Sequence, residues 1–527
     1  MQRRAFLASS LGLGAMSLAA CESKAPIAGG FTGIDMARGH AMRDGALRSA
    51  APGSTRRTRV VIAGGGVAGL AAARALRAKG VDDFVVLELE DTAGGNSRGG
   101  VVEGIACPLG AHYLPVPGDD AHEVQDLLEE LGLRRRVAGR WAYDERHLCH
   151  SPQERLFFEG EWHDGLLPVQ GVGAETLAQY RRFSQRVDAL QQATRFAIPS
   201  LRVPTTAATF GLDAMTFGQW LDAEGLGDAH LRWYLEYSCR DDYGAGVAQV
   251  SAWAGIHYFA SRHGFHAPGD DNADRDAVLT WPEGNGWLTQ RLAAPLGDRL
   301  RTGQVVTRIA ETRGGVEVDV FDAASKSLVR WQAERCIVAL PVFVAARVVE
   351  NPPALLRRAA AALQYAPWLV ANVHLDAPLA DRTGAAPSWD NVVYGTRGLG
   401  YVDARHQALD PTPRATVLTW YRPLGPSSFD GTDGRRQLLD QPWSAWRDAL
   451  LAELSVPHPD IAERATRIDI TRYGHAMAIP TPGLRAQLGN DGTVTAGRLA
   501  FAHADWSGYS IFEEAFTRGH LAGSLPA

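Results

Sequence analysis

The hydrophobic positions of this chain change period several times, and each change marks an element. Arg59-Val60-Val61-Ile62-Ala63 is a β-branched apolar run, the pattern of a strand buried on both faces, and it stops at Gly64-Gly65-Gly66-Val67-Ala68-Gly69. Leu70 to Ala78 is rich in alanine, leucine and arginine, which predicts a helix ended by Gly80. Phe84-Val85-Val86-Leu87 is a second apolar strand closing on Glu88. Farther on, Val124, Leu127, Leu128, Leu131 and Leu133 recur at helical spacing between Asp119 and Leu133, and Thr216 to Tyr237 is similarly rich in aliphatic and aromatic side chains. Val316 to Val320 alternates as a half-buried strand does.

The order strand, glycine turn, helix gives those first glycines a chemical meaning. Gly64 permits a tight turn, Gly66 lets the backbone approach a pyrophosphate, and Gly69 lets helix and strand pack closely, while the helix N-terminus offers N–H groups and positive potential. Glu88, nineteen residues after Gly69, stands at a strand end where a carboxylate accepts hydrogen bonds from ribose hydroxyls. The pattern therefore predicts a dinucleotide site. NAD and FAD both use this arrangement, and only one such fingerprint occurs.

Composition narrows the class. A chain of 527 residues with 46% hydrophobic and 21% charged residues predicts a globular protein of two to four structural units. The net charge of -6 lacks the basic surplus that phosphate-backbone binding needs, so nucleic acid is not an expected partner. Five scattered cysteines give neither a disulfide framework nor a zinc pair, and no metal is expected; the last four read as buried thiols. Lys24, Lys79 and Lys326 are the only lysines.

Met1 to Cys21 has a basic start, an apolar stretch and small residues before a cysteine, the build of an export signal. Gln2-Arg3-Arg4-Ala5-Phe6-Leu7 resembles the twin-arginine motif, and Leu18-Ala19-Ala20-Cys21 resembles a lipoprotein cleavage box that would leave Cys21 lipidated. The expected location is periplasmic, or membrane-anchored through Cys21. Residues 22–56 show no periodicity and read as a linker.

A second glycine pair, Gly94-Gly95, follows Glu88 by six residues, and from here the chain resembles the flavin-containing amine oxidase superfamily, which includes monoamine and polyamine oxidases, phytoene desaturases and protoporphyrinogen oxidases. Asn96 stands where that pattern usually has arginine, with Arg98 two residues later. Gly110-Ala111-His112-Tyr113, Trp281-Pro282-Glu283-Gly284-Asn285-Gly286-Trp287-Leu288, Val306-Thr307-Arg308-Ile309 and Cys336-Ile337-Val338-Ala339-Leu340-Pro341 are similar to later family segments. Thr495-Ala496-Gly497-Arg498 stands for the family's Ala-Gly-Glu, and Trp506-Ser507-Gly508-Tyr509-Ser510 matches its Trp-Ser-Gly-Tyr segment.

The resemblance implies an α/β fold: a Rossmann-like FAD-binding domain from residues 57–114, 281–345 and 471–527, with an inserted α+β substrate domain from 115–280 and 346–470. It implies FAD held by Gly64, Gly66, Gly69, Glu88, Gly94, Gly95, Asn96, Val306, Gly497, Trp506, Gly508, Tyr509 and Ser510, and catalytic roles for Tyr509, Tyr473 and His112. Ser510 would open a helix from Phe512 to Arg518 with Glu513 in its capping box and Gly519 as terminator, aimed at the flavin pyrimidine. The expected reaction is hydride transfer from a substrate C–H to flavin N5, with reoxidation by oxygen or another acceptor. An amine or polyamine is the favoured substrate, drawn in by Asp241-Asp242 and the acidic residues Asp270, Asp271, Asp274 and Asp276. Many amine oxidases hold a water at the flavin with a lysine; the matching position here is Val370. That departure admits a desaturase or dehydrogenase of an apolar non-amine, and together with Asn96 and Arg498 a non-catalytic flavin-binding lipoprotein.

Overall fold

The computed structural model describes residues 25–48, 51–204, 206–262, 264–268, 277–380, 382–410, 412, 414–489 and 492–526. The leader Met1–Cys21 and the acidic residues from Asp270 to Asp276 lie outside the described residues.

Two sheets organise the molecule. The first has six strands in the order Leu300–Arg301, Phe84–Leu87, Val60–Ala63, Arg335–Val338, Leu499–Phe501, Val494–Ala496, all neighbours parallel except the last pair. Val60 to Ala63 and Phe84 to Leu87 are buried on both faces, which is why those strands read as unbroken apolar runs. A four-stranded sheet containing Gly315–Asp322 lies beside it, with Val316, Val318 and Val320 turned into the shared core. The second large sheet has eight strands and is built around the long pair Gln364–Leu375 and Ala465–Ile479. Helices Ala174–Ala193, Phe217–Ala223, Ala229–Tyr243 and Ala252–Ala260 form an aromatic-rich core of their own next to it. The expected domain boundary at 471 falls inside the strand Ala465–Ile479, which belongs to the eight-stranded sheet.

Within residues 22–56, expected to be a linker, the described residues contain two strands and a helix. Ala28–Thr32 pairs in parallel with Arg467 to Thr471 at the edge of the eight-stranded sheet, Met36–Arg43 is a helix, and Ser54–Arg57 adds to the four-stranded sheet. The sequence hid this because both strands are edge strands with mostly exposed side chains, so their order comes from distant pairing partners rather than from a local apolar pattern.

The C-terminal helix also differs from expectation. It spans Phe512–Ser524 and runs through Gly519; its N-cap is Ile511, with no side-chain cap, and Ser510 Oγ instead accepts the Ala478 N–H at 2.9 Å. Gly519 is a contact rather than a terminator, since a Cβ there would lie 2.0 Å from the Ala68 carbonyl oxygen of helix Val67–Ala78. Gly519→Leu is accordingly expected to destabilise the protein by about 3 kcal/mol through overpacking, read as a lowered denaturation midpoint at unchanged flavin stoichiometry.

Candidate active site

Between the two sheets lies a cavity of about 700 Å³. Its first end is built by the glycine turns. The backbone at Gly64 has φ 103°, and a Cβ there would meet the Ala339 carbonyl at 2.3 Å; at Gly69 it would sit 1.9 Å from the Gly64 oxygen. Gly69 thus lies behind the wall and holds helix to strand, while Gly64 and Gly66 face the cavity. Gly66 has nothing nearer its absent Cβ than Gly95 Cα at 3.8 Å, and its space opens on the first turn of the helix. The second glycine pair locks onto the first, with the Gly94 N–H donating to the Gly65 carbonyl at 2.8 Å.

Glu88 lines the cavity and accepts N–H groups from Gly65 at 2.8 Å and Glu90 at 2.9 Å. Burial raises its pKa, and these two donors oppose that rise. Gln304 and Val306 also line the cavity, the Gln304 N–H donating to the Glu88 carbonyl at 2.7 Å. An open space left at residue 66 in front of the helix N-terminus, with a carboxylate at the strand end, fits a dinucleotide. Gly95, Asn96, Ser510, Phe512 and Glu513 continue the wall, so the first turn of the C-terminal helix opens onto the cavity. Asn96 turns its Nδ2 onto the Ala476 carbonyl at 2.7 Å. Arg98 donates to the backbone oxygens of Gly33 at 2.6 Å and Gly95 at 3.1 Å and pairs with Glu90 at 3.7 Å, and so ties the N-terminal segment over the nucleotide end, where Ile34, Met36, Gly39 and His40 complete the wall.

Besides Gly69, four of the expected cofactor contacts do not line the cavity. Gly497 sits in the turn between Val494–Ala496 and Leu499–Phe501, against Glu311; the strand end that faces the cavity is His503-Ala504-Asp505 instead. Trp506 packs on Phe501 in the core, and Gly508 ends a short 3-10 turn against Leu484. Tyr509 is only 2% exposed and sits among Tyr243 and His257; its hydroxyl donates to Asp242 at 2.5 Å and accepts from Arg262 at 2.9 Å. A motif match carries residue identity but not side-chain direction, and the turn before Ser510 points this ring into the helical core rather than at substrate.

The other end of the cavity is aromatic and acidic. Tyr113, Trp368, Tyr421 and Tyr473 line it, with His112 stacked on Tyr421 at 4.4 Å and 27°. Tyr473 and Tyr421 donate their hydroxyls to the carbonyls of Leu109 at 2.7 Å and Gly110 at 3.0 Å, so both present ring surface to the cavity. Burial lowers the His112 pKa to about 3, leaving a neutral imidazole. Asp241 and Asp242, adjacent on the helix Ala229–Tyr243, are not a solvated acidic run. Both carboxylates and Arg262 line the cavity; Asp242 is taken by Tyr509 and by Arg262 at 3.1 Å, while the Asp241 pKa is raised to about 7 by burial and by the neighbouring Asp242 charge, with Arg262 and Arg240 opposing the rise. The sequence offers Asp241-Asp242 as one acidic pair, and only the packing of the helix Ala229–Tyr243 separates the surroundings of its two members. Val370 is on the wall at 2% exposure, and Lys79 and Lys326 lie away from it, at a helix end and in a hairpin turn.

Fold and cavity together define a nucleotide-binding protein of the Rossmann-like type, with a glycine cradle at one end of the cavity and a buried aromatic chamber at the other. The model for flavin containing amine oxidoreductases matches residues 67–522, and the chain belongs to that family. It is 30% identical over 142 residues to an L-amino acid dehydrogenase of Synechocystis sp., covering 27% of this chain and 28% of the relative. It is 27% identical over 311 residues to polyamine oxidase 4 of Oryza sativa subsp. japonica, covering 56% and 54%. The chain thus spans about half the length of these curated relatives, or less. Among solved structures, a putrescine oxidase bound to putrescine superposes with a TM-score of 0.68 at 18% identity, over 89% of this chain and 99% of that one. Cyclohexylamine oxidase from Brevibacterium oxydans gives 0.63 at 19%, over 89% and 98%. Membership of this family makes FAD the cofactor and oxidoreduction the class of chemistry.

Proposed function

We propose that the chain oxidises an amine or polyamine, and that Asp241 is the group that selects it. The supporting observation is a buried carboxylate on a cavity wall that also carries Tyr113, Trp368, Tyr421 and Tyr473, while the ion pair of Arg262 goes to its neighbour Asp242. An ammonium group gains both a counter-charge and ring quadrupoles in such a chamber. The relatives named as polyamine and putrescine oxidases support the same substrate class.

FAD, when bound, supplies the hydride acceptor. The chain's own part is to orient the donor carbon, exclude water and manage one proton. With a pKa raised to about 7, Asp241 is ionised over half of its population at neutral pH and is basic enough to take a proton at Oδ from the bound ammonium, leaving the neutral amine that parts with hydride more readily. His112 and Val370 close the chamber with uncharged surface. Anaerobic mixing with a panel of amines, followed at the flavin absorbance, tests the assignment: amines should bleach the flavin, and bleaching confined to an apolar non-amine would reject it in favour of a desaturase-like activity.

Val370 bears on the electron acceptor. Oxygen gains negative charge as it is reduced, and a nearby cation stabilises that charge, a contribution that an isopropyl side chain cannot make. Val370→Lys is expected to raise the rate at which oxygen reoxidises the reduced enzyme by about tenfold, measured by mixing substrate-reduced protein with aerated buffer. An acceptor other than oxygen is the reading this favours for the natural chain.

Export completes the proposal. The paired arginines Arg3 and Arg4 and the small residues before Cys21 support twin-arginine transport of the folded holoprotein and retention by lipid. A reporter joined to residues 1–60 should stay in the cytoplasm once Arg3 and Arg4 are changed to Lys; arrival in the envelope would refute the route.

A further inference from the structure

Arg134–Val137 and Arg140–Tyr143 form a two-stranded hairpin that joins no other sheet among the described residues. Its tip turns at Ala138, φ 48°, and Gly139, φ 81°. Residues 134–146 carry five arginines against Asp144 and Glu145, a surplus of three in a chain whose total is -6. Two of the five are paired, Arg134 with Glu129 at 3.5 Å and Arg146 with Asp144 at 2.6 Å. Arg135, Arg136 and Arg140 are exposed and make no ion pair among the described residues. Between these guanidinium groups stand two apolar side chains that water reaches, Val137 at 48% and Trp141 at 39% exposure. Trp141 is held upright by Arg134 on one side, 3.6 Å from its ring centroid, and Arg136 at 4.3 Å.

We propose that this hairpin docks the protein on an anionic lipid surface. The Val137-Ala138-Gly139 tip enters the boundary between headgroups and acyl chains, Trp141 rests at headgroup depth, and Arg135, Arg136 and Arg140 bind lipid phosphates. A lone hairpin offers far less than the roughly 1,000 Å² that a stable protein interface needs, whereas a bilayer rewards a small apolar tip ringed by cations. The negative total charge disfavours nucleic acid as the occupant. Docking here is independent of whether Cys21 carries lipid, since the hairpin and the leader are separate parts of the chain.

The test uses the full-length flavoprotein and vesicles of phosphatidylcholine alone or mixed with phosphatidylglycerol, separated by sedimentation. The leader is common to every variant, so differences report the hairpin. Arg135→Gln, Arg136→Gln and Arg140→Gln combined should weaken binding to the mixed vesicles on the order of a hundredfold, about fivefold for each cation, and leave binding to phosphatidylcholine alone unchanged. Val137→Ser should weaken the mixed-vesicle binding severalfold at retained flavin content and amine turnover, which shows the fold intact. Unchanged binding by the triple variant, or equal binding of the parent to both vesicle types, overturns the proposal. So does a change of oligomeric state with vesicle binding retained, which would make the hairpin a contact between copies.

Discussion

Asp241→Asn should lower kcat/KM for a good amine substrate on the order of 10²–10³-fold, because truncating the charge of one partner in a desolvated pair costs about 2–5 kcal/mol. The parent profile of kcat/KM against pH should rise through about 7 as Asp241 ionises, and the variant should lose that limb. Stability should move the other way. Burial and Asp242 raise the folded-state pKa of this carboxyl above its unfolded value, so its favourable contribution is present below the unfolded pKa and is lost as pH rises toward about 7. Asparagine has no charge to bury, so the variant should denature at a higher temperature than the parent at pH 8 and at nearly the same temperature at pH 4. A loss of activity accompanied by lower stability at pH 8 would mean that Asp241 is a structural residue, and the amine assignment would lose its main support.

Gly66→Val should give a folded, colourless protein. Residue 66 has φ -71°, which valine adopts without strain, and the space around its Cβ is open within the protein itself. The side chain would instead occupy the approach to the N–H groups of the helix Val67–Ala78, where the diphosphate must come within hydrogen-bonding distance. Titration with FAD, followed by flavin absorbance after gel filtration, should show affinity reduced by at least about 10³-fold, the range expected when a charged group loses several charge-assisted hydrogen bonds. Circular dichroism and the denaturation midpoint of the apoprotein should match the parent apoprotein. Stoichiometric yellow protein from this variant would place the diphosphate elsewhere.

The nucleotide cradle was legible because its parts are local. A strand, three glycines and a carboxylate within about thirty residues each leave a residue-type signature, and their geometry follows from backbone chemistry that any neighbour must respect. Tyr509 shows the opposite case. The Trp-Ser-Gly-Tyr segment places the ring within a few residues of the cavity, but whether it faces substrate or core depends on Asp242 and Arg262, which arrive from 267 and 247 residues away. Gly497 fails for a related reason: the segment Thr495-Ala496-Gly497-Arg498 resembles a ligand-binding strand end, yet the hairpin register puts it at the turn and gives His503-Ala504-Asp505 the cavity. Gly519 looked like a helix terminator because an isolated glycine near a helix end usually is one, and only the contact with Ala68 explains its presence inside the helix.

Taken alone, the amino-acid sequence determined the family, the flavin and the order of elements that grips its diphosphate, since these rest on short-range periodicity and on glycines whose missing side chains have one purpose. Tertiary structure decided which carboxylate of the pair Asp241-Asp242 remains available, which aromatic faces form the chamber, and that residues from Ala28 onward close over the nucleotide end. The physical reason is that charge and direction are not properties of a residue type: a carboxylate is neutralised or left free by partners that the fold brings from far along the chain, and burial then sets its proton affinity.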